Sequence, residues 1–127
     1  MSDSPKPGSL GWMDLTVEDA SGVRDFYQRV VGFEVQNVSM GDYDDFCLVP
    51  AGSDTPVAGV CHARGSNADM PPVWMPCFVV KELEKRLEEV STAGGRVLRE
   101  IRSAGGGRYS VISDPSGAVC ALYESPA

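Results

Sequence analysis

The chain has 127 residues, 43% of them hydrophobic and 23% charged, which is the balance of one soluble globular domain. Its 11 basic and 18 acidic residues leave a formal charge of −7, which repels phosphate backbones and anionic bilayers and argues against nucleic acid or a membrane as partner. No stretch approaches the ~18 apolar residues needed to span a bilayer, and the start lacks the basic and apolar segments of a secretion signal, so residues 1–9 read as a disordered leader on a cytoplasmic protein.

The first predicted element is a strand over Leu10 to Val17, followed by the turn-prone Asp19-Ala20-Ser21-Gly22. A helix begins there. Val23, Phe26, Tyr27, Val30 and Val31 fall at the i, i+3, i+4, i+7 and i+8 spacing of one apolar face, and Gly32 supplies the stop. Strand-like runs follow near Phe33–Val38, Tyr43–Val49 and Pro56–Ala63, with turn residues between them. A polar, proline-containing linker over 65–72 comes next.

The same order then returns. A strand is predicted near Val73–Val80 and a helix from Glu82 to Ala93, with Leu83, Leu87 and Val90 facing inward and Gly94-Gly95 ending it. Strands near Arg96–Ile101, Arg108–Ser113 and Ala118–Glu124 complete the second half. Val17 matches Val80, and Gly32-Phe33-Glu34-Val35 matches Gly94-Gly95-Arg96-Val97, an internal repeat at an offset of about 62 residues. The expectation is an α+β fold of tandem βαβββ units, 10–64 and 73–125, within a single domain 10–125. Paired, the units form a curved eight-stranded mixed sheet with its helices on the convex side and a cleft on the concave side.

The 4 cysteines, Cys47, Cys61, Cys77 and Cys120, form no C-x-x-C pair and sit in apolar stretches, so they read as buried free thiols rather than a disulfide framework. Gly105-Gly106-Gly107 precedes a strand rather than a helix, which makes it a hairpin tip at the cleft mouth and not a phosphate loop. The charged run from Glu82 to Glu89 has the spacing of a solvated helix face.

Two motifs carry a resemblance: Leu15-x-Val17-x-Asp19 followed by Phe26-Tyr27-x-x-Val30-x-Gly32-Phe33, and Asp114-Pro115-x-Gly117 before the last strand. From about Ser9 to Glu124 the chain resembles the vicinal-oxygen-chelate superfamily of glyoxalases, bleomycin-resistance binders and extradiol dioxygenases. In metal-using members, a His or Gln and a Glu from each half hold a divalent ion. The resemblance sets those four positions on Trp12, Gly59, Met75 and Ala121. None offers a suitable donor, and a shift of one residue, to Met13, Val60, Pro76 or Leu122, supplies none either. No metal is therefore expected at the standard positions and no cofactor is predicted. A divalent ion would need a non-standard site.

Strand alternation puts Asp14, Cys61, Cys77 and Tyr123 on the same cleft face, two places beyond the lost ligands, as polar lining or a displaced soft-metal site. Asp14 is the most informative of them. A carboxylate on an apolar inward face needs a partner, for which Tyr123 is a candidate, or a role as base or ligand anchor. Cys61 and His62 are adjacent, and His62 is the only histidine, but neighbouring strand residues point to opposite faces and would not form a dyad. Trp12 and Met75 make the vacated metal region apolar, suited to a flat organic ligand or simply filled by side chains.

The leading expectation is a metal-independent binder of a small hydrophobic or aromatic molecule, contacted by Trp12, Asp14, Cys61, Met75, Cys77, Ala121 and Tyr123. The resemblance to drug-sequestering members implies a homodimer. The alternatives are a lyase, isomerase or dioxygenase with a displaced metal site, in which Asp14, Cys61, Cys77 or His62 acts, and a domain with a filled cleft that serves as an interaction module.

Overall fold

The computed structural model describes residues 6–104 and 106–126. Contacts within it divide the chain into two compact units, one from Trp12 to Trp74 and the other combining the segment through Gly11 with Met75 onward. The first follows the order βαβββ and the second repeats it with one strand divided in two, so the α+β class follows from the duplicated pattern.

In the first unit the elements are β1 (Leu10–Val17), α1 (Ala20–Val31), β2 (Glu34–Ser39), β3 (Asp44–Val49) and β4 (Ala58–His62). Asp19 caps α1 by accepting the Gly22 N–H at 3.0 Å, and Gly32, at φ +89°, ends it with its N–H on the Gln28 carbonyl. The left-handed turn at Gly32 is what lets the chain reverse directly into β2. Strand order is β2-β3-β4-β1, antiparallel except for the parallel β4–β1 pair. Ala20, Phe46, Leu48, Ala58 and Val60 form its core, with Met13, Val17, Val23, Tyr27 and Trp74 packed against them. Trp74 closes the cluster by donating its indole N–H to the Tyr27 hydroxyl at 3.0 Å.

The periodic set on α1 divides by burial: Val23 and Tyr27 are half-buried, whereas Phe26, Val30 and Val31 are exposed, and Ala20 takes the most buried position.

The second unit comprises β5 (Met75–Val79), α2 (Leu83–Thr92), β6 (Arg96–Val97), β7 (Arg102–Ala104), β8 (Gly107–Ser113) and β9 (Val119–Glu124). Its order is β5-β9-β8-β6, with β7 also on β8, and β5–β9 is again the parallel pair. Of the strand expected over 96–101 only β6 forms, and the short β7 follows beyond it. Leu98 and Arg99 both donate their N–H to the Val111 carbonyl, so two residues oppose one, the mark of a bulge that interrupts the ladder before β7 resumes it. Among the described residues the strands number nine, the additional one arising from this interruption. β7 and β8 do form the expected hairpin. Gly106 at its tip has φ +86°, and Gly105 lies outside the described residues.

Of the leader expected over 1–9, residues 1–5 lie outside the described residues. Lys6 to Ser9 form a turn, with the Ser9 N–H and hydroxyl both donating to the Lys6 carbonyl. The chain then runs beside β5: Gly8 donates to the Val79 carbonyl at 2.7 Å and Val79 donates to the Ser9 carbonyl at 2.9 Å. The linker expected over 65–72 contains a single turn of 3-10 helix, Gly65–Asn67.

Leu83 at the start of α2 is fully buried, and its N–H is capped by the Glu124 carboxylate at 3.1 Å. Arg108 on β8 bridges Glu84 of α2 and Glu124 of β9 with a fork of charge-assisted hydrogen bonds, tying helix, strand and strand together. The charged residues from Glu82 to Glu89 are exposed, and from that solvated face Glu84 reaches the clamp.

Candidate functional site

In the first unit, β1 and β4 run parallel with Asp14 opposite Gly59 and Thr16 opposite Cys61, while β3 sets Cys47 opposite Gly59. Alternation then sends Met13, Leu15 and Val17 to one face and Trp12, Asp14 and Thr16 to the other. On that second face the Trp12 indole N–H donates to Asp14 Oδ1 at 3.1 Å, and the Cys61 Sγ stands 3.8 Å from both carboxylate oxygens. Asp14 thus takes its hydrogen bonds from Trp12 and Cys61. The candidate partner Tyr123 has its phenol against Gly107 at the start of β8.

Gly59 explains why Asp14 fits. A Cβ at position 59 would lie 2.5 Å from Asp14 Oδ1 and 3.3 Å from Trp12 Nε1, so a side chain there is incompatible with this placement of the carboxylate. The position where the resemblance expects a metal ligand is therefore filled by the aspartate and indole of the neighbouring strand. Gly59 and Asp14 are linked by sterics: the carboxylate has room only because residue 59 has no side chain.

Burial raises the Asp14 carboxyl above its ordinary range, and the Asp45 charge adds to this, while the hydrogen bonds from Trp12 and Cys61 oppose it. Burial, followed by the charges of Asp14 and Asp45, pushes the Cys61 thiol far above its usual value. Cys47 is raised by burial and by Asp14. Neither thiol is therefore a ready nucleophile.

Cys61 and His62 diverge as neighbours on a strand. The thiol faces Asp14, whereas His62 Nδ1 lies 3.2 Å from Asp45 Oδ1 and its ring meets Tyr43 edge-on at 5.4 Å. Asp45 also accepts the His62 backbone N–H at 2.8 Å. Asp45 was missed from sequence, though the signal was there. It lies two residues before Cys47 on a predicted strand, so the alternation that singled out Asp14 also sets Asp45 on the Cys47 and Cys61 face.

In the second unit, Met75 and Ala121 are buried, Cys77 pairs in register with Ala121, and Tyr123 pairs with Val79 across β5–β9 and with Tyr109 across β8–β9. A Cβ at Gly107 would overlap the Tyr123 Oη and Cζ, so glycine there makes room for the ring. A separate cavity of about 730 Å³ in this unit is lined by Pro7, Lys81, Gly106, Gly107, Arg108 and Glu124, among others; it takes in part of the glycine run but none of the candidate ligand-binding residues.

The four residues that the resemblance sets at ligand positions, Trp12, Gly59, Met75 and Ala121, carry an indole, no side chain, a thioether and a methyl, which do not suit a hard divalent ion. Among the described residues, no group of three or more His, Cys, Asp or Glu side chains is arranged to hold a metal.

A duplicated βαβββ fold with one vicinal face rebuilt in this way defines a member of a single broad class. Residues 9–122 match the model of the Glyoxalase/Bleomycin resistance protein/Dioxygenase superfamily, and the chain belongs to that superfamily. It is 32% identical over 129 residues to the anthracycline biosynthesis protein DauV of Streptomyces sp. (strain C5), a match spanning 92% of this chain and 47% of that one. It is 30% identical over 118 residues to the anthracycline biosynthesis protein DnrV of Streptomyces peucetius, across 93% of this chain and 42% of that one. The chain thus spans about half the length of the curated relatives it matches. Among solved structures, methylmalonyl-CoA epimerase from Mycobacterium tuberculosis shares the fold with a TM-score of 0.61 at 18% identity, covering 98% of this chain and 93% of that one. Among the described residues, no helix is long and apolar enough to cross a membrane.

Proposed function

We propose that the chain is a metal-independent binder of a small, flat, hydrophobic or aromatic molecule. The observation that carries this reading is the Asp14 carboxylate and Trp12 indole lying where a side chain of residue 59 would stand. Glycine at 59 offers no metal donor, and an indole stands beside one hydrogen-bonding carboxylate, a composition that suits a small-molecule site. In this reading Trp12 contacts the ligand plane, while Asp14, already anchored by Trp12 and Cys61, fixes its orientation through a polar substituent. Two relatives are named for anthracycline biosynthesis, and anthracyclines are flat polycyclic quinones, which supports that ligand class.

The test is a titration with a panel of hydroxyquinones, read by quenching of tryptophan fluorescence. Asp14→Asn should lower affinity roughly tenfold, equal to about 1.4 kcal/mol, with no loss of fold. Trp12→Phe should remove most of the quenching, while Trp74→Phe, which alters only the indole bonded to Tyr27, should not. Equal affinity in wild type and Asp14→Asn would remove Asp14 from the site.

A second reading, an enzyme that moves a proton through Asp14, is favoured by one observation: burial raises this carboxyl, which brings it nearer to the range of a working acid or base. Solvent deuterium incorporation into a bound ketone, lost in Asp14→Asn, would select it over simple binding. The remaining alternative, a displaced metal centre, predicts stoichiometric metal by elemental analysis of protein purified without chelator.

A further inference from the structure

Where β5 and β9 end and β8 begins, the second unit holds the cavity of about 730 Å³, a size that suits a small organic molecule and far exceeds an inorganic ion. A smaller hollow of about 460 Å³ adjoins it, and the two share Pro7, Val79, Val80 and Lys81. Phe78, an aromatic that is 39% exposed, and Arg86 line the smaller one. The walls are held in place. Gly8 donates to the Val79 carbonyl and Val79 to the Ser9 carbonyl, which pins the segment bearing Pro7 to β5. At the larger hollow the Arg108 fork fixes the Glu124 carboxylate.

The charges around the two hollows are unevenly paired. Arg108 is committed to both Glu84 and Glu124, which leaves that group with one surplus negative charge. Glu82 is taken by Lys85 at 3.8 Å. Among the described residues no ion pair engages Lys81 or Arg86. In a chain of formal charge −7, two such cations beside an apolar wall are where an organic anion is drawn. Glu82 has φ +54°, alone among the described non-glycine residues in being positive. That left-handed turn between β5 and α2 keeps Lys81 outside the helix, where the hollows meet.

We propose that the two hollows form one binding site for an organic monocarboxylate, with its head group at Lys81 and its apolar body along Pro7, Val80 and Phe78. The lysine supplies attraction at one end and the apolar wall supplies buried area along the rest, so the site selects for a molecule that has both. A dianion such as phosphate is the poorer match, because the surplus charge of Glu84 and Glu124 opposes it and its small size leaves the apolar wall uncovered. The site uses none of Trp12, Asp14, Gly59 or Cys61 and does not depend on the binding function proposed above.

Titration of the isotope-labelled full chain with octanoate, followed through backbone amide NMR shifts, tests this. The expected result is saturable shifts at Phe78, Val80, Lys81 and Gly106 to Arg108. Lys81→Gln should weaken octanoate binding by roughly threefold to fivefold, the usual weight of one exposed charge, while Lys81→Arg retains it. Lys81 is exposed, so neither substitution disturbs folding. Octanol, of the same length without the charge, should bind more weakly, and added salt should narrow the gap between the two. Absence of saturable shifts at these amides overturns the proposal, as do shifts confined to residues 12–74. Equal affinity for octanol and octanoate, or for octanoate in wild type and Lys81→Gln, overturns it as well. So does inorganic phosphate bound as tightly as octanoate, which would mark a plain ion site.

Discussion

The two units share a backbone plan and differ in what it carries. Each has a parallel strand pair at the same place, β4–β1 in one and β9–β5 in the other, and each has a helix following its first strand. At the corresponding strand positions the first unit has Trp12, Asp14, Gly59 and Cys61, a polar group of hydrogen-bonded side chains, while the second has Met75, Cys77, Ala121 and Tyr123, where Met75 and Ala121 are simply buried. The charged network of the second unit lies elsewhere, in the Arg108 clamp on α2. Duplication preserved the ladder, which backbone hydrogen bonds maintain with many sequences. It did not preserve the chemistry, which depends on single side chains.

The largest effect expected from breaking this symmetry is in the two cores. Leu48 and Leu83 are both fully buried, so Leu48→Ala and Leu83→Ala should each destabilise by about 3 kcal/mol in chemical denaturation, the usual size for a leucine cavity. A markedly smaller cost for one of them would mean that its unit relaxes around the gap and is the more plastic half.

Next comes Gly59. A methyl added there meets the Asp14 carboxylate at 2.5 Å and must displace it, so Gly59→Ala should cost about 2 kcal/mol and abolish the dependence of ligand affinity on Asp14. Ala121→Gly, at the corresponding position of the second unit, should have no effect on ligand hydrogen bonding. Equal stability of Gly59→Ala and wild type in thermal denaturation would mean that the carboxylate has another place to go.

The smallest expected effect separates the units by pH. Hydrogen bonds from Arg108 hold Glu84 down at about 2 and Glu124 below its ordinary value, so these acids bind protons more weakly folded than unfolded. Their contribution to stability is present above the unfolded value near 4.5 and is lost as pH falls toward 2. Asp14 has the opposite sign. Its raised carboxyl favours the folded state below the unfolded value of 3.8, and that benefit disappears as pH rises through the folded value. Arg108→Ala should therefore flatten the fall in melting temperature below pH 4.5, whereas Asp14→Asn should raise the melting temperature slightly near neutrality. The exposed clamp is screened, so its slope should also shrink with added salt.

Much of the fold was open to reading from sequence because it rests on local rules. The span of β1, the Asp19 and Gly32 boundaries of α1, and the repeat itself follow from alternation, capping and glycine conformation, each acting within a few residues. The bulge at Leu98-Arg99 was not readable, since it arises from which carbonyl on β8 two successive amides find. Nor was the exposure of Phe26 and Val30, because helical periodicity tells which residues share a face but not how wide a sheet covers it.

The same division runs through the candidate site. By itself the sequence determined that Trp12, Gly59, Met75 and Ala121 offer no donor for a hard metal ion, because that depends only on residue identity, and that Asp14 shares a strand face with Trp12, because side chains alternate along any strand. Only tertiary structure decided that Asp14 enters the space left by Gly59, that Trp12 and Cys61 rather than Tyr123 hold it, and that Asp45 engages His62. Those facts depend on the register between β1, β3 and β4, and a shift of a single residue in that register would exchange every partner.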